Sequence, residues 1–172
     1  MKRRAQRGSS LLLSSLIFSV LAVLVLLTFF TSQTIDMRMQ SQIQNLTTTT
    51  WTARTAFDLA SEAIHLDRDW GKKGESLHWQ DENGSFARIR FRLPEGSKPG
   101  DAPEALVFGA SVPDDISDWD ETYDSVNNLG GTSSAVGYDG IIVPPNSILV
   151  VAVAEYRGKK QVAYQIYNGS PQ

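Results

Sequence analysis

The chain has 172 residues, no cysteine and a formal net charge of −3 at pH 7. This length allows one modest folded domain, and the lack of cysteine excludes disulfides, a thiol nucleophile and any metal site built on thiolates. Four of the sixteen basic residues lie among the first seven residues, so the remaining twelve face nineteen acidic residues. Nucleic-acid binding is therefore disfavoured, because it needs a basic face for the phosphates.

An uncharged apolar segment follows the basic start of the chain. Residues 11–30 contain no charged side chain and only four hydroxyl residues. A helix of this length just crosses a hydrocarbon core about 30 Å thick. The preceding basic residues predict a cytoplasmic N-terminus, with the C-terminal part across the membrane; they are Lys2, Arg3, Arg4 and Arg7. The alternative is a cleaved secretory signal, whose apolar region is usually shorter, and residues 31–33 make a poor cleavage site for one.

Residues 9 to about 69 have the pattern of one long helix. Neither Gly nor Pro occurs between Gly8 and Gly71, whereas all seven prolines follow Gly71, and both residue types are unfavourable inside helices. Beyond the apolar segment, apolar residues recur at spacings of three and four, with one gap of seven, and form a single stripe. They are Ile35, Met39, Ile43, Leu46, Ala53, Phe57, Ala60 and Ile64.

A short basic leader that ends in glycine, followed by an apolar and then amphipathic helix, resembles the precursors of the type IV pilin and pseudopilin superfamily. The resemblance implies that a prepilin peptidase cuts after Gly8 and methylates the amine of Ser9, so that the apolar helix persists as an assembly helix. The first residues of that helix that we assign to assembly are Leu11, Leu12, Leu13, Leu16, Ile17 and Phe18.

One position departs from the family pattern. The fifth mature residue, usually Glu in the family, is Leu13 here. In the family that carboxylate pairs with the N-terminal amine of a neighbouring subunit, because an unpaired charge in lipid is costly. The leucine therefore implies a minor or tip-located subunit rather than a major one.

The C-terminal half changes to a period of two, which is typical of strands. Residues 86–93 alternate apolar and Arg residues and follow residues 77–79 across an Asn83-Gly84 turn, so they predict a hairpin. A second hairpin is predicted from residues 148–156 and 161–167, joined by residues 157–160. Shorter strands are expected within 105–112 and 141–143.

These patterns predict an α+β fold, in which a long N-terminal helix packs on a small antiparallel sheet, as in pilins. The predicted divisions are a leader (residues 1–8), a transmembrane and assembly helix (9–30), its amphipathic continuation (31–70) and a β-rich part (71–172). Three arginines on one strand face, Arg88, Arg90 and Arg92, predict a solvated face balanced by acids. An anionic partner is the alternative.

An acidic loop suggests a calcium site. Its candidate ligands are Asp114, Asp115, Asp118, Asp120 and Asp124, and hard oxygen atoms at short spacing are what calcium requires. Some pseudopilins bind calcium in such a loop, so the resemblance supports this assignment. A solvated acidic loop without a metal explains the same composition. No other cofactor is expected.

Catalysis is not predicted. His65 and His78 lie in different predicted elements, and no nucleophile motif is present. We expect a structural subunit of a type IV pilus-like or type II secretion-like filament, held in the inner membrane with its C-terminal part periplasmic or extracellular. Its partners would be the membrane, a prepilin peptidase and other pilin-like subunits. The alternative is a single-pass anchored binding domain that never enters a filament.

Overall fold

The structure, a computed structural model, describes residues 2–110 and 121–169. The chain divides into two compact units, Met1–Gln44 and Asn45–Gln172. Helix α1, Lys2–Leu66, accounts for the described part of the first unit and begins the second. The sequence predicts a helix from Ser9 to about Asp69; the observed helix starts before Ser9 and ends about one turn before Asp69. A long apolar helix followed by a β-sheet confirms the predicted α+β class.

The second unit contains eight strands among its described residues. A six-stranded sheet has the order β3-β1-β2-β7, and β8 pairs with β7 on the far side. The short β4 pairs with residues 148 and 149 of β7, while β5 and β6 form a separate two-stranded sheet. The strands are β1 Ser76–Gln80, β2 Phe86–Arg90, β3 Leu106–Gly109, β4 Val126–Asn127, β5 Ala135–Val136, β6 Ile142–Val143, β7 Ser147–Tyr156 and β8 Lys159–Asn168.

Both predicted hairpins are present. In the β7–β8 hairpin Tyr156 pairs directly with Lys159, so the loop is only Arg157 and Gly158 rather than residues 157–160. Both loop residues have positive φ, 50° and 70°, which is the backbone of the two-residue turns that match strand twist. All the described strand pairs are antiparallel except the β1–β3 pair, which is parallel. This pair is parallel because the connection from β2 returns to the end of the sheet where β1 begins.

One face of the sheet packs against α1. The helix contributes three small residues, Ala53, Ala56 and Ala60, which are buried and let the helix approach the strands closely. They meet alternate sheet residues, among them Leu77, Ile89, Phe91, Ile148, Val150 and Ala152. The predicted apolar stripe is buried only in part: Leu46 is 61% exposed, and burial of the helix begins at Thr49. Thr49 reaches Gln161 of β8 through a 2.8 Å hydrogen bond.

The other face of β7 has a separate small core. Val143, Leu149 and Val151 are fully buried there. Residues of the segment that follows the acidic loop cover them, including Tyr123, Val126, Ala135, Tyr138 and Ile141. Strand β7 is consequently buried on both faces and paired along both edges, which explains why its sequence is a continuous apolar run rather than an alternation.

Tyr167 ties β8 to the helix. Its hydroxyl donates a 3.1 Å hydrogen bond to the main-chain carbonyl of Phe57. Burial, with a smaller contribution from the negative charge of Asp58, raises the pKa of Tyr167 to about 12. An unfolded tyrosine ionises near pH 10. The folded state therefore keeps the proton more tightly, and this contribution to stability is complete below about pH 10 and is lost as the pH rises towards 12.

We expect Tyr167→Phe to lower the free energy of unfolding by about 1 kcal/mol at neutral pH, through loss of the hydrogen bond. The variant should also lose less stability than the wild type between about pH 10 and 12, because phenylalanine does not ionise. Urea unfolding of the full chain in detergent at several pH values measures both effects. Tyr164→Phe, at an exposed tyrosine of the same strand, is the matched control. Parallel pH profiles for wild type and Tyr167→Phe would contradict the assignment.

Candidate membrane and assembly segment

In the first unit, α1 exposes its apolar side chains on every side. No side chain from Leu12 to Phe30 is buried by the rest of the chain, and Phe18 is 78% exposed. The helix is long and apolar enough to cross a membrane. Apolar surface on this scale is unfavourable in water, so a helix that is apolar all round requires lipid or protein around it.

Four hydroxyl groups in and just after this segment bond back into the helix. Ser19 donates to the carbonyl of Ser15 at 2.9 Å, and Thr34 donates to the carbonyl of Phe30 at 2.8 Å. Thr28 and Thr31 bond back to carbonyls of the preceding turn in the same way. An unpaired hydroxyl in hydrocarbon costs several kcal/mol. These local bonds remove that cost and make the segment compatible with a lipid or protein interior.

The residues predicted for processing and assembly lie along this helix. Gly8 and Ser9 are part of the helical backbone, and the side chains of residues 2–11, Leu11 among them, lie outside the description. The other five are at least half exposed, namely Leu12, Leu13, Leu16, Ile17 and Phe18. Cleavage after Gly8 and methylation of Ser9 stay predictions.

The predicted calcium ligands lie mostly outside the described residues: Asp114, Asp115, Asp118 and Asp120 fall in the gap between residues 110 and 121. Asp124 is described and nearly buried, and its carboxylate accepts a 2.8 Å hydrogen bond from Nε of Arg90. Across residues 2–110 and 121–169, no three His, Asp or Glu side chains come close enough together to hold a metal ion. Calcium binding stays a prediction.

The three arginines of β2 and its continuation agree only in part with the predicted solvated face balanced by acids: Arg92 is exposed and Arg90 has an acidic partner, but Arg88 and Arg90 are half-buried. The guanidinium of Arg88 lies over the ring of Phe86 at 4.9 Å, Arg90 pairs with Asp124, and Arg92 donates to the carbonyl of Val136 at 3.3 Å. The segment after the acidic loop reaches this face at Arg90 and Arg92. Sequence reasoning missed this cover because a period of two does not reveal what lies above a strand.

A cleft of about 740 Å³ lies beside the C-terminal end of α1. Three of its lining residues can carry positive charge: His65, Arg68 and Lys72. Lys72 pairs with Asp69 at 2.6 Å, and this contact lowers the pKa of Asp69. His78 is buried in β1 and does not line this cleft, so the structure does not bring the two histidines together here. The cleft was not predicted, because its walls come from segments far apart in sequence.

No family model, curated protein or solved structure matches the chain. The layout itself, a long apolar N-terminal helix whose C-terminal part packs on a small sheet, is pilin-like.

Proposed function

We propose that this chain is a structural subunit of a pilus-like or secretion-like filament, a minor pilin or pseudopilin that is processed after Gly8 and assembles through α1. The main support is that α1 has two roles along its length. Its first part is an exposed apolar segment, and from Thr49 onward it forms one wall of the β-domain core. The chain acts by packing and turns over no substrate in this proposal.

Exposed apolar side chains beyond the membrane segment favour assembly over a simple anchor. Leu46 and Trp51 are 61% and 62% exposed, and Leu46 comes sixteen residues after Phe30 in the sequence. An anchor needs apolar surface only within the lipid. Apolar side chains that are exposed beyond the lipid need cover from protein. The side chains of Ile35, Met39 and Ile43 are also more than half exposed.

Assembly would exchange lipid for neighbouring helices around residues 11–30. Apolar burial contributes little to that exchange, because lipid is as apolar as leucine, so the attraction comes from van der Waals packing. Ser14, Ser15 and Ser19 are small enough to allow close approach. Leu13 offers no carboxylate to a neighbouring amine, which supports a minor rather than a repeatedly stacked subunit.

Processing is the direct test. Intact mass and N-terminal sequencing of the protein from its native membrane should give a chain that begins at Ser9 with a methylated amine. Gly8→Val should retain residues 1–8 and stay membrane-bound outside any filament, whereas Gln6→Val, which leaves the cut bond untouched, should be processed normally.

Two other results would overturn the proposal. An intact start at Met1 or Lys2 in the wild type would favour the anchored binding domain, for which the cleft at His65, Arg68 and Lys72 is the candidate binding region. A start near Gln33 would identify the apolar segment as a discarded signal.

A further inference from the structure

The sheet has an open edge at each side. Strand β3 ends it on one side and β8 on the other, and no described residue makes a ladder with the outer edge of either strand. Strand β3 exposes Leu106, Val107 and Phe108 by 39%, 55% and 37%. It contains no charge and no proline, which are the usual means of blocking edge-to-edge pairing.

We propose that β8 of one copy pairs with β3 of the next, so that the sheet continues from copy to copy. The inference rests on the proposed function for one premise: copies held by the same helix in one membrane or filament share one orientation. Such a contact joins two different surfaces of the chain, so it does not close on itself and can repeat along a row of copies.

The strand directions fit this contact. Strand β3 runs parallel to β1, and each following step, from β1 to β2, from β2 to β7 and from β7 to β8, is antiparallel. Three reversals leave β8 antiparallel to β3. Two copies placed side by side therefore present antiparallel edges to each other, with a rotation from copy to copy that takes up the twist of the sheet. Antiparallel ladders are slightly more stable per residue than parallel ones.

The two edges also lie at the same level of the sheet. Residues that pair across successive strands form rows perpendicular to the strands. One row joins Leu106 of β3 to Ala163 of β8 through Leu77, Ile89 and Ala152. Another joins Gly109 of β3 to Lys160 of β8 through Gln80, Phe86 and Glu155. Side-by-side copies would therefore set the beginning of β8 beside the end of β3.

Opposite charges meet at that corner. The β7–β8 turn and the beginning of β8 have Arg157, Lys159 and Lys160. The turn that follows β1, one strand in from β3, has Asp81 and Glu82. Arg157, Lys159 and Glu82 are exposed. Complementary charge favours a second copy of this chain as the occupant, because the same chain supplies both the basic and the acidic corner.

Disulfide trapping tests the contact, since the chain has no native cysteine. Row pairing puts Val107 with Val162 on the face away from α1, so Tyr164 shares the face of Val107 and Gln165 points to the other. Full-length Val107→Cys and Val162→Cys chains, which the rows place opposite each other, should form mixed dimers when co-expressed in the native membrane and mildly oxidised. Tyr164→Cys, two residues further along the same face, extends the register scan. Gln165→Cys, at an exposed neighbour on the opposite face, should give far fewer dimers.

A chain with both Val107→Cys and Val162→Cys should give a ladder of multimers. Dimers formed by Val107→Cys alone would indicate a symmetric contact and overturn the inference. No mixed product at Val162 or Tyr164, or cross-linking only to a different protein, would also overturn it. N-terminal sequencing of the same sample distinguishes failure of this contact from failure of the proposed function. A chain that begins at Ser9 but does not cross-link contradicts the contact and leaves the proposed function standing. Cross-links on an unprocessed chain contradict the proposed function alone.

Charge exchange gives an independent measurement. Glu82→Lys in the Val107→Cys chain should lower the yield of mixed dimer about two- to fivefold, as expected for a solvent-exposed ion pair. Lys159→Glu in the Val162→Cys chain should restore it. Lys159 is chosen rather than Lys160, whose ammonium lies over the ring of Tyr123 at 4.5 Å. Equal yields in all four charge combinations would contradict the role of the corner charges.

Discussion

Replacing Phe91 by alanine is expected to lower the free energy of unfolding by about 3 to 5 kcal/mol. Phe91 is fully buried at the end of β2, and its ring meets that of Trp70 edge to face with centroids 4.8 Å apart. Gly71 has φ of +93° and lies so close that an added Cβ would stand 2.5 Å from the Phe91 ring. The truncation therefore leaves a cavity between the sheet and the loop that follows α1.

That loss is a large part of the stability of a typical domain, which is about 5 to 15 kcal/mol. Urea unfolding of the full chain in mild detergent, followed by near-ultraviolet circular dichroism, measures it. Phe91→Leu should cost less, because most of the volume remains. Phe29→Ala, at an exposed residue of the apolar segment, should leave the transition unchanged. A loss below about 1 kcal/mol for Phe91→Ala would contradict the packing described for this core.

Two arginines introduced together near the middle of the apolar segment, Leu21→Arg and Val25→Arg, are expected to remove the chain from the membrane. Each arginine at the centre of a membrane helix costs about 2.5 to 3.5 kcal/mol, so the pair costs about 5 to 7 kcal/mol. Both positions are exposed on the helix and are one turn apart. Within the described part of this segment, no other residue of the chain would bury the two arginines or carry a charge to neutralise them.

Alkaline extraction of membranes, followed by detection of the protein in the pellet and the supernatant, measures the effect. The matched control has two arginines at the same spacing beyond the span, Met37→Arg with Ser41→Arg, and should remain in the pellet. If the Leu21 and Val25 variant resists extraction as the wild type does, residues 11–30 do not hold the protein in lipid.

Much of the fold was predictable where local pattern determines structure. The alternation in residues 86–93 and the apolar runs beside Arg157-Gly158 located both hairpins, because side-chain period and turn chemistry are local properties. The direction of β3 was not predictable. It depends on where a connection of some fifteen residues re-enters the sheet, between Arg90 and Leu106, and no local pattern encodes that choice.

The candidate site was also predictable only in part. The apolar segment follows directly from composition, since residues 11–30 contain no charge. The limit of helix burial at Thr49 could not be predicted, because Leu46 and Ala53 are seven residues apart and share one helical face. Only the extent of the sheet separates them. The pairing of Arg90 with Asp124 was missed for a similar reason, since the partners lie 34 residues apart.

The position of β7 along the chain affects the order in which the protein can form during synthesis. This strand receives β2 and β4 on one edge and β8 on the other, and it supplies side chains to both cores, yet it begins only at Ser147. Until the ribosome has added that strand, α1 and the β1–β2 hairpin lack the part of their common core that β7 supplies, namely Ile148, Val150, Ala152 and Ala154. The nascent chain must therefore present its apolar helix for about 80 residues of further synthesis before the domain can fold, so membrane insertion or chaperone binding of α1 has to precede folding rather than follow it.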